Sequence, residues 1–427
     1  MGGAGERAVV ELTAQWADVW RQEAPHVLAA LVRRHGQFAD CEDAVQEALL
    51  AAAVQWPRDG VPRDRRGWLI RVASRRLIDQ FRSDTSRRER ELRLASQRRL
   101  GPATTNDDPL DLMVLCCHPS LTKGSQVALM LRAVGGLTTA EVAAGFLVPE
   151  ATMAQRISRA KTSLTRAGAT LGRPEDQVRS IAAVRHAVAL LYTEGHTRSS
   201  GPIITDAALT REATHLARRL VASRPDDPEN LGLLALLLLT QSRAETRVDA
   251  AGALIPLEEQ DRTRWESHLI AEGVALIERA LPVGPVGEFQ LQAAIAAVHA
   301  EARTWAETDW IQIAALYRLL DAVAPSLSVT LGRAAALARV QGPAAGLALL
   351  AHVPDRESAR SHRVHAVRGH LLAEAGRRTE AISALAEAAR LTRSIPEQRY
   401  LHRMVADLAT RSPTPAPAGR PPMLAPG

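Results

Sequence analysis

The residues from Leu137 to Lys161 admit few folds. They read Leu-Thr-Thr-Ala-Glu-Val-Ala-Ala-Gly-Phe-Leu-Val-Pro-Glu-Ala-Thr-Met-Ala-Gln-Arg-Ile-Ser-Arg-Ala-Lys. Thr138 followed three residues later by Glu141 is a capping box, which starts a helix by satisfying its first free amides. Val142, Ala143 and Phe146 share one face of that helix. Pro149 suits the first position of a second helix, and Glu150 favours that helix's positive end. Met153, Ile157 and Ala160 then repeat at i, i+4 and i+7, the spacing of a core-facing stripe. Thr152, Gln155, Arg156, Arg159 and Lys161 are left on the outward face. Two short helices with amide and guanidinium groups on the second make a helix-turn-helix with a major-groove reading surface. Gln155, Arg156 and Arg159 can read base edges bidentately, while Lys161 and the Thr hydroxyls suit the phosphate backbone; Thr138, Thr152 and Ser158 complete the candidate DNA set. The plainer alternative is a three-helix core with basic residues facing solvent.

The rest of the chain reads as helix too. Aromatic residues make up only 3% of its 427 residues, while Ala, Leu, Arg and Glu dominate, a balance that disfavours sheet. The longest apolar run, Leu231 to Leu239, is too short for the roughly 20 residues that a bilayer requires. With Glu6 and Glu11 and no apolar stretch, the N-terminus is not a secretory signal. Three cysteines (Cys41, Cys116 and Cys117) cannot build a disulfide framework, which suits a reducing cytoplasm. Cys116-Cys117-His118 has no second ligand pair at zinc spacing, so packing is expected there and no metal site.

Basic residues concentrate between Arg63 and Arg99, opposed only by Asp64, Asp79, Asp84, Glu89 and Glu91. Such an excess attracts phosphate backbone through counterion release; a solvated charged linker is the competing reading. Upstream, a helix is expected from Asp40 as N-cap, with Asp43, Gln46 and Glu47 sharing a face opposite Val45 and Leu49. An acidic and amide stripe repels DNA and suits a protein partner. A break is expected around Trp56 to Pro62. It is followed by a helix from Trp68 to Arg82, with Arg71, Ser74 and Arg75 on its outer side and Trp68 mainly in the core.

Five segments follow from these patterns. Residues 1–85 form a first helical domain, 86–109 an Arg-rich linker and 110–173 the helix-turn-helix domain. Residues 174–410 form a helical extension, and 411–427 a Pro-rich disordered tail. Within the extension, His362 to Ile395 fits one tetratricopeptide repeat: Gly369, Ala381, Leu385 and Ala388 sit at repeat positions, Gly376 at the turn, and Gly342 one period earlier. A weaker copy with Leu347 precedes it, and a plain helical bundle is the alternative. Thr263 with Glu266 reads as a capping box and Thr308 as an N-cap.

Three strings resemble one family. Glu141 to Lys161 resembles region 4 of the extracytoplasmic-function (ECF) sigma factors of the sigma-70 family, which grips the −35 promoter element. Asp40 to Leu49 resembles region 2.2, and Trp68 to Arg82 the helix that reads the −10 element. The loop from Gln55 to Arg66, with Arg63, resembles the one that forms a pocket for an unstacked base. Glu194-Gly195-His196, Glu258 to Arg262, Thr308-Asp309-Trp310 and Gln290 to His299 resemble the extension of a group with a tetratricopeptide-like C-terminal region. The resemblance implies an all-α chain: two small sigma domains, regions 2 and 4, the latter a helix-turn-helix, and then a tetratricopeptide-like regulatory extension. Asp43, Gln46 and Glu47 would dock on core RNA polymerase, at the β′ clamp coiled-coil, with the β flap as a second contact. Arg63, Trp68, Arg71, Ser74 and Arg75 would engage the −10 element. Promoter DNA and a protein or peptide ligand of the extension are the further partners expected, with no membrane, no cofactor and no catalysis by this chain. Its place would be the cytoplasm, at the nucleoid. The other class of function is a helix-turn-helix regulator that acts without core polymerase; a helical scaffold that happens to carry a basic domain is a third. Three departures from the family pattern stand out: Leu147 replaces the turn glycine, and Ala154 and Arg75 stand where relatives carry a basic residue and Asn.

Overall fold

The computed structural model describes residues 23–36, 38–88, 109–167 and 177–410. The all-α expectation holds, with strand among the described residues limited to Ser200–Gly201 and Arg393–Ser394. The described residues fall into two compact units. One takes the chain up to Thr246 together with Asp261–Arg303, and the other takes Arg247–Gln260 and the residues from Thr304 on. The expected domain boundary near residue 173 lies inside the first unit, because a single hydrophobic cluster runs from Val27 through Phe289.

The first unit opens with α1 (residues 23–35), α2 (Phe38–Asp59) and α3 (Arg65–Arg88). In α2, Cys41, Ala44, Val45, Ala48, Leu49, Ala52 and Trp56 recur at three- and four-residue spacing and are all buried. The helix starts at Phe38, so Asp40 lies in its first turn rather than at its cap. It also runs through Pro57, and the break is confined to the residues around Gly60, where φ of +83° ends it. Against α2, α3 buries Leu69, Ile70, Ala73 and Leu77. Trp68 packs edge-on against buried Trp56, ring centroids 5.5 Å apart. Without Gly or Pro to stop it, α3 continues to Arg88, past the expected start of the linker. The Arg-rich stretch beyond Arg88 and the Pro-rich tail lie outside the described residues.

Four helices follow: α4 (Pro109–Leu115), α5 (Lys123–Ala133), α6 (Thr139–Gly145) and α7 (Glu150–Arg166). The capping box forms in full: Thr138 Oγ1 accepts from the Glu141 amide at 3.2 Å, and Thr138 N donates to Glu141 Oε2 at 2.8 Å. Pro149 is the cap residue of α7 and Glu150 its first helical residue, one position later than expected. Met153, Ile157, Ala160 and Leu164 face the core. The turn between α6 and α7 keeps a left-handed residue without a glycine: Leu147 has φ of +54°, the one positive value at a non-glycine among the described residues. A Cβ there is strained, and the Leu147 side chain is 55% exposed, so it recovers little by packing. Leu147→Gly is therefore expected to raise stability by about 1 kcal/mol, read as a higher urea midpoint at unchanged slope.

From α8 (Gln177–His196) the chain builds a bundle of α9 (Ala207–Ser223), α10 (Pro228–Gln241), α11 (Ser267–Ala280) and α12 (Glu288–Glu301). The apolar run Leu231 to Leu239 makes α10 its central helix, packed on α9, α11 and α12. Glu229 on α10 accepts from the amides of Phe289 and Gln290 at 3.2 and 3.0 Å and so caps α12 from outside. Between Gln241 and Ser267 the chain makes short 3-10 turns and one antiparallel bridge, Val248 to Leu254, rather than helical pairs. There the expected box of Thr263 and Glu266 does not form. Asp261 accepts from Thr263 N and Oγ1 instead, and Glu266 is a cap residue without a side-chain bond.

The second unit is a run of neighbouring helices: α13 (Trp310–Val323), α14 (Leu327–Gln341), α15 (Pro343–Leu350), the short α16 (Asp355–Ser358), α17 (His362–Glu374), α18 (Arg378–Leu391) and α19 (Ile395–Thr410). Asp309, not Thr308, caps α13 by accepting from Gln312 N at 2.9 Å; Thr308 is buried and donates to the Thr304 carbonyl. The positions read as a repeat fall at the α17–α18 contact. A Cβ on Gly369 would lie 2.6 Å from Leu385 Cγ, Ala381 and Ala388 are buried, and Gly376 turns the chain at φ of +72°.

Candidate nucleic-acid and protein interface

Helix α7 shows its outward face in two grades. Thr152, Gln155, Ser158 and Arg159 are exposed. Arg156 is half-buried, its guanidinium 5.5 Å from the centroid of the Phe146 ring, which ties it to the preceding helix. Lys161 is also half-buried, with Nζ 2.6 Å from Glu42 Oε2 on α2. The Thr138 hydroxyl is engaged as the cap of α6. Five of the seven expected DNA contacts are thus exposed, and of these Thr138 is already engaged as a cap; Arg156 and Lys161 are half-buried with partners within the chain.

On α3, Arg71 and Arg75 are exposed and line a depression of about 460 Å³ with Arg34, Ile70, Ser74 and Ile78. Arg63 lines a separate, wider one of about 600 Å³, formed by Val61 to Arg66 with Glu23, where Arg66 Nε donates to Glu23 Oε2 at 2.9 Å. Trp68 joins neither and stays with Trp56. The structure therefore brings Arg71, Ser74 and Arg75 together and leaves Arg63 and Trp68 apart from them. Asp43, Gln46 and Glu47 are exposed along one face of α2. Glu47 reaches Arg76 Nε on α3 at 3.5 Å, a loose pair between exposed groups.

Two groups that matter here lie outside the sequence reading. Glu42 is 4% exposed. Its spacing to Val45 and Leu49 (i, i+3, i+7) places it on the apolar side of α2, a signal present in the sequence. Arg198, after α8, contacts the capping-box Glu141 and lies 3.6 Å from Glu194 and 3.9 Å from Asp206. Burial raises the Glu194 carboxyl above the usual carboxylate range, against the lowering effect of Ser199 and Arg198. Only the fold brings these groups together. The three thiols are buried: burial pushes Cys41 and Cys117 up to about 12 and raises Cys116 well above the usual thiol range, so all stay protonated at neutral pH.

Residues 19–87 match the model of Sigma-70 region 2, and residues 111–164 that of Sigma-70, region 4. Residues 180–281, spanning most of α8 to α11, match a family of unknown function, DUF6596. The chain is 39% identical over 418 residues to an uncharacterized protein of Rhizobium meliloti, covering 94% of this chain and 98% of that one. It is 31% identical over 157 residues to the probable ECF RNA polymerase sigma factor SigI of Mycobacterium tuberculosis, covering 34% of this chain and 52% of that one. No solved structure gives a significant match.

Proposed function

This chain belongs to the ECF sigma factors of the sigma-70 family, and from that premise we propose that it binds core RNA polymerase and directs initiation at promoters chosen by α7 and α3. The observation that carries the reading is the pairing, in one chain, of an exposed amide and guanidinium face on α7 with an exposed acidic stripe on α2. A DNA-binding regulator needs the first; the second suits a protein partner and would repel DNA. In this reading Asp43, Gln46 and Glu47 dock on the β′ clamp coiled-coil, and a second contact lies at the β flap. Arg71, Ser74 and Arg75 hold the −10 strand, and catalysis belongs to the polymerase. The helical extension, tetratricopeptide-like around α17 and α18, governs activity and offers a surface to a protein or peptide ligand. The chain would work in the cytoplasm, at the nucleoid. The relative that matches over nearly the whole chain supports treating sigma regions and extension as one functional piece.

Run-off transcription with sigma-free core polymerase on a genomic fragment library tests the proposal. Discrete start sites, lost in the Gln155→Ala/Arg156→Ala variant, are expected. No transcripts and no comigration with core enzyme would leave the regulator or scaffold readings. Arg156→Ala alone is expected to weaken promoter binding by about 1–3 kcal/mol and to relax sequence choice. Because Arg156 also covers Phe146, the unfolding midpoint is measured alongside. A uniform loss on every DNA would instead make Arg156 a phosphate contact.

A further inference from the structure

Three of the strings singled out in the sequence, those ending at His196, Arg262 and His299, converge in the first unit. His196 stacks on Tyr192, ring centroids 5.6 Å apart. Arg262 Nη1 donates to the carbonyls of His299 and Ala302, at 2.8 and 2.9 Å, at the end of α12. Arg243, just past the end of α10, joins them. The chain is fixed on both sides of it. Before it, Tyr192 OH donates to Gln241 Oε1 at 3.2 Å, and the Glu266 amide donates to the Ser242 carbonyl at 2.9 Å. After it, Thr246 Oγ1 accepts from Trp265 Nε1 at 3.0 Å. The short turns Ala244–Thr246 and Arg262–Arg264 pack on each other, and the Arg262 guanidinium lies 5.1 Å from the centroid of the Trp265 ring.

This cluster is cationic. Among the described residues the Arg243 side chain makes no ion pair and donates no hydrogen bond. It is half-buried, as are Arg262 and His299. Burial lowers the Arg243 guanidinium below its usual range, with Tyr192 opposing and the Arg262 charge adding to the fall. An arginine nevertheless stays charged at neutral pH. Burial, with Arg262 and Arg243, pushes His299 down to about 4, so it is a neutral imidazole there. The carboxylates near in sequence are turned elsewhere. Asp261 accepts from Thr263 N and Oγ1, Glu266 Oε2 lies 3.8 Å from His268 Nε2, and Glu245 is exposed. Two like charges drawn partly out of water lose hydration and repel each other, a cost that a bound anion relieves. Guanidiniums hold oxyanions through paired N–H···O bonds, a geometry that fits carboxylate and phosphate alike. Two positive charges beside a neutral imidazole match the near-double charge of a phosphate group better than a single carboxylate.

We propose that Arg243, Arg262 and His299 form a binding site for a small phosphate anion, either inorganic phosphate or the phosphate group of an organic monoester. Arg243 supplies the paired contact, Arg262 the second charge and His299 an N–H donor. The bound anion would tie the end of α10 to the end of α12. This inference goes beyond the sigma reading and does not rest on it, because binding is measured on the full chain without polymerase or DNA.

The test is calorimetric titration of the full chain, in chloride buffer at fixed ionic strength, with inorganic phosphate, glycerol phosphate and acetate. At least one of the two phosphates is expected to bind, and acetate to bind about tenfold more weakly or not at all. Tighter binding of glycerol phosphate would identify an organic monoester as the ligand class; tighter binding of inorganic phosphate would identify the free ion. Arg243→Met should weaken binding by about tenfold or more, and Arg243→Lys by less, since it keeps the charge and loses the fork. Arg279→Gln removes an exposed arginine of α11 and should leave binding unchanged. Thermal unfolding separates a binding site from a structural role. In chloride buffer Arg243→Met should unfold no lower than the natural chain, because it loses a repelling charge and no partner. Phosphate at about ten times Kd should raise the natural chain's midpoint by roughly 3–5 °C and leave the variant's in place. No binding of either phosphate, or binding that survives Arg243→Met, overturns the site. So does an Arg243→Met variant that unfolds well below the natural chain in chloride, which would make Arg243 a structural residue.

Discussion

Gly232→Ala is expected to lower the stability of the first unit by about 2–3 kcal/mol, although alanine is the better helix former by about 1 kcal/mol. The reason is the closeness of two backbones. A Cβ at Gly232 would lie 2.7 Å from Gln290 N and 2.9 Å from both Gln290 Cα and Phe289 C. None of these atoms can swing aside, because α12 is fixed at that point by the Glu229 carboxylate and by the bond from Gln290 Nε2 to the Ala280 carbonyl. α10 and α12 would have to separate, opening a core that includes Phe289 and Leu233. Gly273→Ala is the informative comparison. The nearest atoms to its Cβ are Leu239 Cγ and Cδ2, at 2.7 and 3.1 Å, the end of a side chain that can change rotamer. There the loss should be smaller, about 1 kcal/mol or less once helix propensity is counted. Urea unfolding of the two variants under one set of conditions decides the matter. Equal losses would mean that the α10–α12 contact is softer than its geometry.

The helix-turn-helix was legible because its signals are local. A capping box, a proline and an i, i+4, i+7 stripe each act within a few residues, and Thr138, Glu141, Met153, Ile157 and Ala160 sit where those signals put them. Helix ends were less legible where two polar residues compete for one cap. Thr308 and Asp309 both qualify, and the carboxylate takes the amide while the hydroxyl turns inward. Thr263 lost its expected partner in the same way, because Asp261 accepts from its amide and hydroxyl first. Least legible were the long-range pairs. Lys161 reads as a solvent-facing cation on its own helix, and only the docking of α2 on α7 turns it toward Glu42. Arg198 in sequence is one polar residue in a loop, and its contact with Glu141 depends on α8 lying along the helix-turn-helix. Period alone placed Thr152, Gln155 and Arg159 on the exposed face, while Arg156 and Lys161 from the same reading, and Arg198, needed the tertiary contact to be placed.

Asp227→Ala should cost about 3–4 kcal/mol, because one carboxylate serves two structures there. As N-cap of α10 it accepts from the amides of Glu229 and Asn230 at 3.0 and 3.1 Å. It also receives Arg185 Nη1 of α8, at 3.0 and 3.1 Å from its two oxygens, in a pair whose side chains are only 11% and 23% exposed. The same guanidinium donates to Asn230 Oδ1, and Asn230, fully buried, donates onward to the Leu220 carbonyl on α9. Alanine removes the cap, worth about 1 kcal/mol, and leaves Arg185 with an amide oxygen in place of its counter-ion. Asn at this position keeps an oxygen for the cap and loses only the charge, so about half the penalty is expected. Thermal unfolding of the two variants separates the contributions; if they fall equally, the cap adds nothing and the ion pair carries the whole effect. The consequence reaches the DNA-reading unit, because α8 is the strut on which α5 rests. Loosening α8 should therefore weaken promoter-directed transcription by Asp227→Ala at temperatures below its unfolding transition, and Asp227→Asn should retain more of it. Full transcription by the alanine variant while folded would mean that the helix-turn-helix holds its geometry without the strut.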